Sequence, residues 1–179
     1  MKKPANTVNE RMETNVAGIY AIGDVLGPSK IMLAHVASAE GLIAAENALG
    51  QTLRMDYNVV PNAIFTMPEV ANVGLTESQA LDKGYNLRSD RVLFRNIGKS
   101  HVIGEIAGEA KIVSDIENGK ILGIHLIGPH ATDLIGEGTL ALKMGCHVRD
   151  LAETIHAHPT LSEIISETAH VALDRPLHG

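Results

Sequence analysis

Ala110-Lys111-Ile112-Val113-Ser114-Asp115-Ile116, then Glu117-Asn118-Gly119-Lys120, then Ile121-Leu122-Gly123-Ile124-His125-Leu126-Ile127 is the stretch that decides the fold. Two apolar runs rich in β-branched residues flank an Asn-Gly. Asn-Gly is the strongest short-range hairpin signal, because a two-residue type I′ turn needs φ > 0 at both central positions. The pattern predicts an antiparallel pair, with Glu117 facing Lys120 across the turn. The second run is apolar on both faces, which suits a strand at the centre of a sheet.

Upstream, Ala63-Ile64-Phe65-Thr66, set off by Pro61 and Pro68, and residues 70–75 predict two more strands. Thr76-Glu77-Ser78-Gln79 is a capping box opening a helix that Gly84 ends. Residues 87–95 predict a further strand, and residues 96–108 carry no clear period. Downstream, Gly128-Pro129 breaks the sheet pattern. A helix follows over 132–144, with Leu134, Ile135, Gly138, Ala141 and Leu142 on one stripe and Gly145 as its stop. Two more helices are predicted over 148–155 and 161–173. Strands followed by helices, without βαβ alternation, predict an α+β domain over 59–179: a mostly antiparallel sheet with helices packed on one side.

Residues 1–50 read differently. The first 16 are polar and aperiodic, a connector. Gly18-Ile19-Tyr20-Ala21-Ile22-Gly23-Asp24 reads as a short buried strand ending in Gly-Asp. Asp24 either reaches the hydroxyls of a sugar or diphosphate ligand or caps a turn. A helix over 33–49, stopped by Gly50, carries a flat stripe of Ala37, Gly41 and Ala45 beside Ala44 and Ala48. Little around it can cover that stripe, so residues 1–50 read as the tail of a domain, mobile or held by non-native contacts.

Composition narrows the function. The 179 residues are 45% hydrophobic and 20% charged, enough for one full core and a remnant. A net charge of −6 without a Lys/Arg run argues against nucleic acid and anionic membranes as partners. No long apolar span occurs, and Met1-Lys2-Lys3-Pro4 is not followed by a signal-like apolar region. A soluble chain is expected, cytoplasmic or, in a eukaryote, of the mitochondrial matrix. The single cysteine, Cys146, excludes an internal disulfide and a Cys-rich zinc site, and reads as a small buried hydrophobe. With 3% aromatic residues there is no stacking platform for bases.

The chemistry concentrates in Ile155-His156-Ala157-His158-Pro159-Thr160-Leu161-Ser162-Glu163. With His158 on a loop and Glu163 in the first turn of the next helix, the chain can fold back and join carboxylate to imidazole. That contact would fix the ring's tautomer, raise its basicity and leave the other nitrogen to exchange protons near neutral pH. Thr160 and Glu163 also make a capping box, which needs no chemistry. His156 and His158 point the same way on an extended backbone, yet no third ligand is evident and no metal site is assigned. There is no G-x-S-x-G elbow, and Ser162 opens a helix, so serine hydrolysis is set aside.

His158-Pro159-Thr160-Leu161-Ser162-Glu163 resembles a signature of the FAD-dependent pyridine nucleotide-disulfide oxidoreductases. Thr14-Asn15-Val16-Ala17-Gly18-Ile19-Tyr20-Ala21-Ile22-Gly23-Asp24 resembles their second FAD motif, and the likeness continues through Met32-Leu33-Ala34-His35, Phe65-Thr66-Met67-Pro68-Glu69-Val70 and Gly123 to Pro129. The resemblance implies that residues 59–179 are the interface (dimerisation) domain and residues 1–50 belong to the FAD domain. It implies that Asp24 binds the ribityl–diphosphate region of FAD and that Met32, Leu33, Ala34 and His35 line the flavin ring. It makes His158, oriented by Glu163, the acid–base group serving the partner subunit of a homodimer. Pro159 would fix the loop, in a cis peptide bond.

Within the family, His156 to Glu163 is most similar to the branch that oxidises protein-bound dihydrolipoamide with NAD+. A lipoyl-bearing acyltransferase complex is then the partner. The family's G-x-G-x-x-G loop, C-x-x-x-x-C redox pair and NAD domain are missing. The chain therefore reads as a C-terminal fragment, expected neither to hold FAD firmly nor to turn over alone. A sister reductase acting on glutathione, mercury or nucleotide hydride exchange, and a non-catalytic dimerisation module, are the alternative readings.

Overall fold

The computed structural model describes residues 6–178, in two compact units that divide between Tyr57 and Asn58. In the first unit a 3-10 turn at Gly23–Leu26 precedes helix α1 (Ala34–Ala48). The strand expected over 18–24 does not form. Tyr20 makes one antiparallel bridge to Glu13, and the chain turns at Gly23, φ +69°, before a ladder can extend. Ile19 and Ile22 stay exposed in consequence. Residues 1–16 are not a plain connector either. Their first five lie outside the described residues, but Met12 is fully buried.

The buried face of α1 is Val36, Glu40, Ala44 and Asn47, not the alanine stripe. Ala37 and Gly41 still allow close approach: a Cβ at Gly41 would lie 3.3 Å from Ile22 Cδ1. Two buried polar side chains organise this unit. The Asn47 amide donates to the Arg11 and Leu53 carbonyls and accepts the Leu53 N–H. Glu40 accepts the Gly23 N–H at 2.7 Å and the Tyr57 O–H at 2.6 Å. Burial and that carboxylate together push the Tyr57 hydroxyl's pKa well up.

The second unit is the α+β domain expected. Its strands are β1 (Asn62–Ile64), β2 (Glu69–Gly74), β3 (Leu87–Leu93), β4 (Glu109–Asp115) and β5 (Ile121–Gly128). They form one antiparallel sheet in the order β1-β2-β5-β4-β3, with β5 central. Between them lie α2 (Glu77–Asp82) and α3 (Gly98–Ile103), and beyond them α4 (Ala131–Met144), α5 (Val148–Glu153) and α6 (Glu163–Ala172). The aperiodic stretch 96–108 thus contains a short helix. It ends at Gly104 in the left-handed region.

Alternation sorts the strand residues. Ala71, Val73, Val92, Ala110, Ile112, Ile124 and Leu126 form one core with Ile135, Leu151, Ile164 and Ile165 from α4, α5 and α6. Each such aliphatic side chain contributes about 1.5–3 kcal/mol on full burial. Gly138 lets α4 come close, since a Cβ there would lie 3.1 Å from Ile124 Cδ1. The opposite face carries Val113 and Leu122 against Ala80 of α2, whose Thr76–Gln79 capping box forms as expected. There Glu77 accepts hydrogen bonds from Lys111 Nζ at 2.8 Å and Ser89 Oγ at 3.0 Å.

The hairpin sits where Asn-Gly places it, but its turn is different. Gly119 has φ +76° and Asn118 is not in the positive region, so this is not a type I′ turn. Asp115 takes over: its carboxylate accepts the Glu117 N–H and the Asn118 amide, and its own N–H donates to the Lys120 carbonyl. Asp115 rather than Glu117 is therefore paired with Lys120. The wider loop accompanies a register shift between Val113 and Ser114.

Helix α4 has no local cap, because His130 supplies no side-chain acceptor. Glu69 of β2 serves instead. Its Oε2 accepts the Thr132 N–H at 2.9 Å and the Thr132 hydroxyl at 2.7 Å. These bonds hold the Glu69 carboxyl below its ordinary pKa. Among the described residues no helix is long and apolar enough to cross a membrane.

Candidate active site

Residues 154–162 join α5 to α6, and the His158–Pro159 peptide bond is cis. His158 Nδ1 lies 2.9 Å from Glu163 Oε1. A carboxylate accepts, so the ring donates its Nδ1–H and presents the Nε2 lone pair outward. The His158 side chain is 71% exposed and that of Glu163 15%. The His158 ring thus faces solvent while the carboxylate that orients it is held in the protein.

Glu163 does both things its spacing allowed. Its Oε2 accepts the Thr160 N–H at 2.8 Å while Oε1 holds His158. The other half of the capping box is missing: the Thr160 hydroxyl donates to the Ala157 carbonyl at 2.6 Å. Burial alone would push the Glu163 carboxyl up. The Thr160 N–H and the His158 ring, with His178 adding its field, more than offset that and hold its pKa below the usual value.

His156, two residues away, points elsewhere. Its Nε2 meets Glu137 Oε1 of α4 at 2.8 Å and its Nδ1 meets the Thr154 carbonyl at 2.9 Å. The two rings are separately engaged. No group of three or more metal-ligating side chains occurs among the described residues. Sequence reasoning missed Glu137, which lies 19 positions from His156 on another element. The one signal was a carboxylate directly beside Gly138 on the helix's apolar stripe.

His156, Glu163, Glu167 and His170 line a cleft of about 240 Å³ next to the pair. A larger cleft of about 600 Å³, lined by Phe65, Met67 and Ile106 together with Glu69, Glu105 and His130, shares none of these residues.

The residues assigned to FAD lie in the first unit. Asp24 sits exposed in the Gly23–Leu26 turn, against which α1 packs. Leu33 is the N-cap of α1, with Met32, Ala34 and His35 exposed around it. Leu33 gives the first turn of α1 no side-chain cap, and Asp24 offers an exposed carboxylate that accepts from hydroxyls, groups compatible with a nucleotide's phosphate and hydroxyls.

Residues 60–169 match the family model described as pyridine nucleotide-disulphide oxidoreductase, dimerisation domain, and residues 3–41 match pyridine nucleotide-disulphide oxidoreductase. The chain is 48% identical over 167 residues to a dihydrolipoyl dehydrogenase of Chlamydia muridarum, covering 93% of this chain and 36% of that one. It is 47% identical over 171 residues to a dihydrolipoyl dehydrogenase of Thermus scotoductus, covering 96% and 36%. The crystal structure of LpdA from Mycobacterium tuberculosis superposes with a TM-score of 0.86 at 30% identity, over 94% of this chain and 36% of that one. The chain thus spans about a third of the length of these relatives, 36% in each case. On the match of its second unit above all, the chain belongs to the pyridine nucleotide-disulphide oxidoreductase family.

Proposed function

We propose that this chain is the C-terminal part of a flavoprotein disulfide reductase that oxidises protein-bound dihydrolipoamide with NAD+. In that reading residues 59–179 supply the homodimer contact and the acid–base pair, and residues 1–50 contribute to the FAD site. The observation that carries it is the His158–Glu163 bond, which fixes one ring nitrogen and leaves the other open.

Dihydrolipoamide thiols are mostly protonated at neutral pH, and the thiolate is the reactive form. His158 Nε2 takes the thiol proton and later returns one. Glu163 keeps Nδ1 protonated throughout, so Nε2 always faces the substrate, and it stabilises the imidazolium that forms. Asp24 and Met32 to His35 would hold FAD, which when bound supplies the two-electron acceptor. In the homodimer His158 serves the partner's redox centre. One cysteine cannot form a redox disulfide within this chain, so turnover requires the longer protein. A lipoyl-bearing acyltransferase complex is the substrate carrier. The identity to the two dihydrolipoyl dehydrogenases favours this over a sister reductase.

The test uses the whole enzyme and follows flavin reduction by dihydrolipoamide in a rapid-mixing experiment. His158→Gln should slow it by about 10²–10⁴-fold, the usual contribution of a general acid–base. Reoxidation by NAD+, which does not use this proton, should change far less. Equal flavin reduction in variant and wild type would refute the role.

A further inference from the structure

We infer that His156 and Glu137 are a positioning pair, which seats the loop carrying His158 so that His158 meets Glu163; this rests on His158 being the acid–base group. The His156 side chain is only 8% exposed, and both of its partners are oxygens. The Glu137 carboxylate accepts, so the ring donates its Nε2–H to it, and losing Glu137 strands that buried N–H.

The pair is also the loop's polar tie to a distant element. The other side-chain hydrogen bonds described for residues 154–162 run within five positions: Thr154 to Asp150, His156 to Thr154, Thr160 to Ala157 and Ser162, and Glu163 to Thr160 and His158. Such local bonds shape the loop without fixing its place. Leu161 anchors its far end in the core, and His156 anchors its near end to α4. Helix α4 packs on β2 and β5, so Glu137 stands on the sheet platform. Glu163 belongs to α6, which packs on β3, β4 and α5.

His158 is two residues from the near anchor and bonds to a residue on a different helix. A hydrogen bond of 2.9 Å weakens steeply over a few tenths of an ångström and with misalignment. If the near end of the loop lifts, His158 Nδ1 leaves Glu163 although both helices stay in place.

Long-range ¹⁵N–¹H spectra of the 179-residue chain read the His158 tautomer directly, with no need for cofactor or turnover. In the wild type the Nδ1–H form should predominate. Glu137→Ala should reduce that form to a minor one, with the amide spectrum of the sheet unchanged. Glu137→Gln keeps an oxygen acceptor for His156 Nε2–H and should restore it, a rescue that mere loss of stability would not show. His156→Gln gives an independent reading, and carries the test by itself if Glu137→Ala does not fold. Retention of the Nδ1–H form in the folded variants would overturn the proposal. Failure of the parent reading looks different, because His158→Gln would then leave flavin reduction in the whole enzyme untouched.

Discussion

Two histidine–glutamate pairs lie two residues apart, with near-identical contact lengths of 2.8 Å and 2.9 Å, and they differ in what the second ring nitrogen meets. His156 has both nitrogens spoken for and its ring sealed in the protein. His158 has one nitrogen bound and its ring in solvent. The pairing chemistry is the same, so the bond alone does not make a base. A nitrogen left open to solvent can exchange a proton, and a fully satisfied imidazole is a structural tie. Burial and use therefore run in opposite directions: the deeper pair should matter more to stability and the shallower one to proton transfer.

The largest stability effect expected is at the buried pair. Glu137→Ala should cost about 1–3 kcal/mol, the usual penalty for leaving a buried polar group unpaired. Urea unfolding of the chain, followed by far-ultraviolet circular dichroism, measures it; a loss no greater than at Glu163 would erase the contrast. Glu163→Gln should cost around 1 kcal/mol, the magnitude of a lost helix-start contact. In the whole enzyme it should also displace the pH–rate profile, which simple capping would leave unmoved.

Acid titration sharpens the same contrast. Glu69, Glu77 and Glu163 all have folded-state pKa values below the ordinary 4.5. Their stabilisation is complete above that value and is lost as pH falls through each folded value. His125, lowered from 6.5 by burial, acts in the same direction at higher pH: its contribution is full above 6.5 and fades below. Unfolding midpoints across this range should fall with acid in the wild type. Glu163→Gln should remove only part of the carboxylate limb, since Glu69 and Glu77 remain; complete removal would mean that the exposed pair dominates. The smallest effect is at the exposed ring, where His158→Gln should change stability by no more than about 0.5 kcal/mol.

Features written in local spacing were legible in the sequence. Thr76 and Gln79 close their capping box within one turn, and His158 and Glu163 are five positions apart across a proline. The order of strands and helices in the second unit, α3 excepted, follows from periodicity together with local caps and breakers. Where a distant or unexpected side chain intervened, the reading failed. Asp115 converted an Asn-Gly turn into a wider loop, because its carboxylate bonds to the turn backbone that a type I′ geometry would arrange differently. Apolar residues at 18–24 suggested a strand, but extended backbone without neighbours on both sides makes only a bridge. On α1 the alanine stripe gave way to a face containing Glu40 and Asn47, whose bonds to Tyr57, Arg11 and Leu53 depend on how the chain returns. Glu137 was invisible for the same reason.

The carboxylate of Glu69 does more than begin a helix. Its residue pairs with Gly128, the last residue of β5, and α4 starts three residues beyond that glycine. If β2 slipped by one position, every side chain on it would change face, and Glu69 would turn away from Thr132. The misaligned sheet would then leave α4 with bare N–H groups at its start. Strand alignment is thus coupled to the point where the helix begins, and an error in the sheet costs α4 its cap, about 0.5–2 kcal/mol.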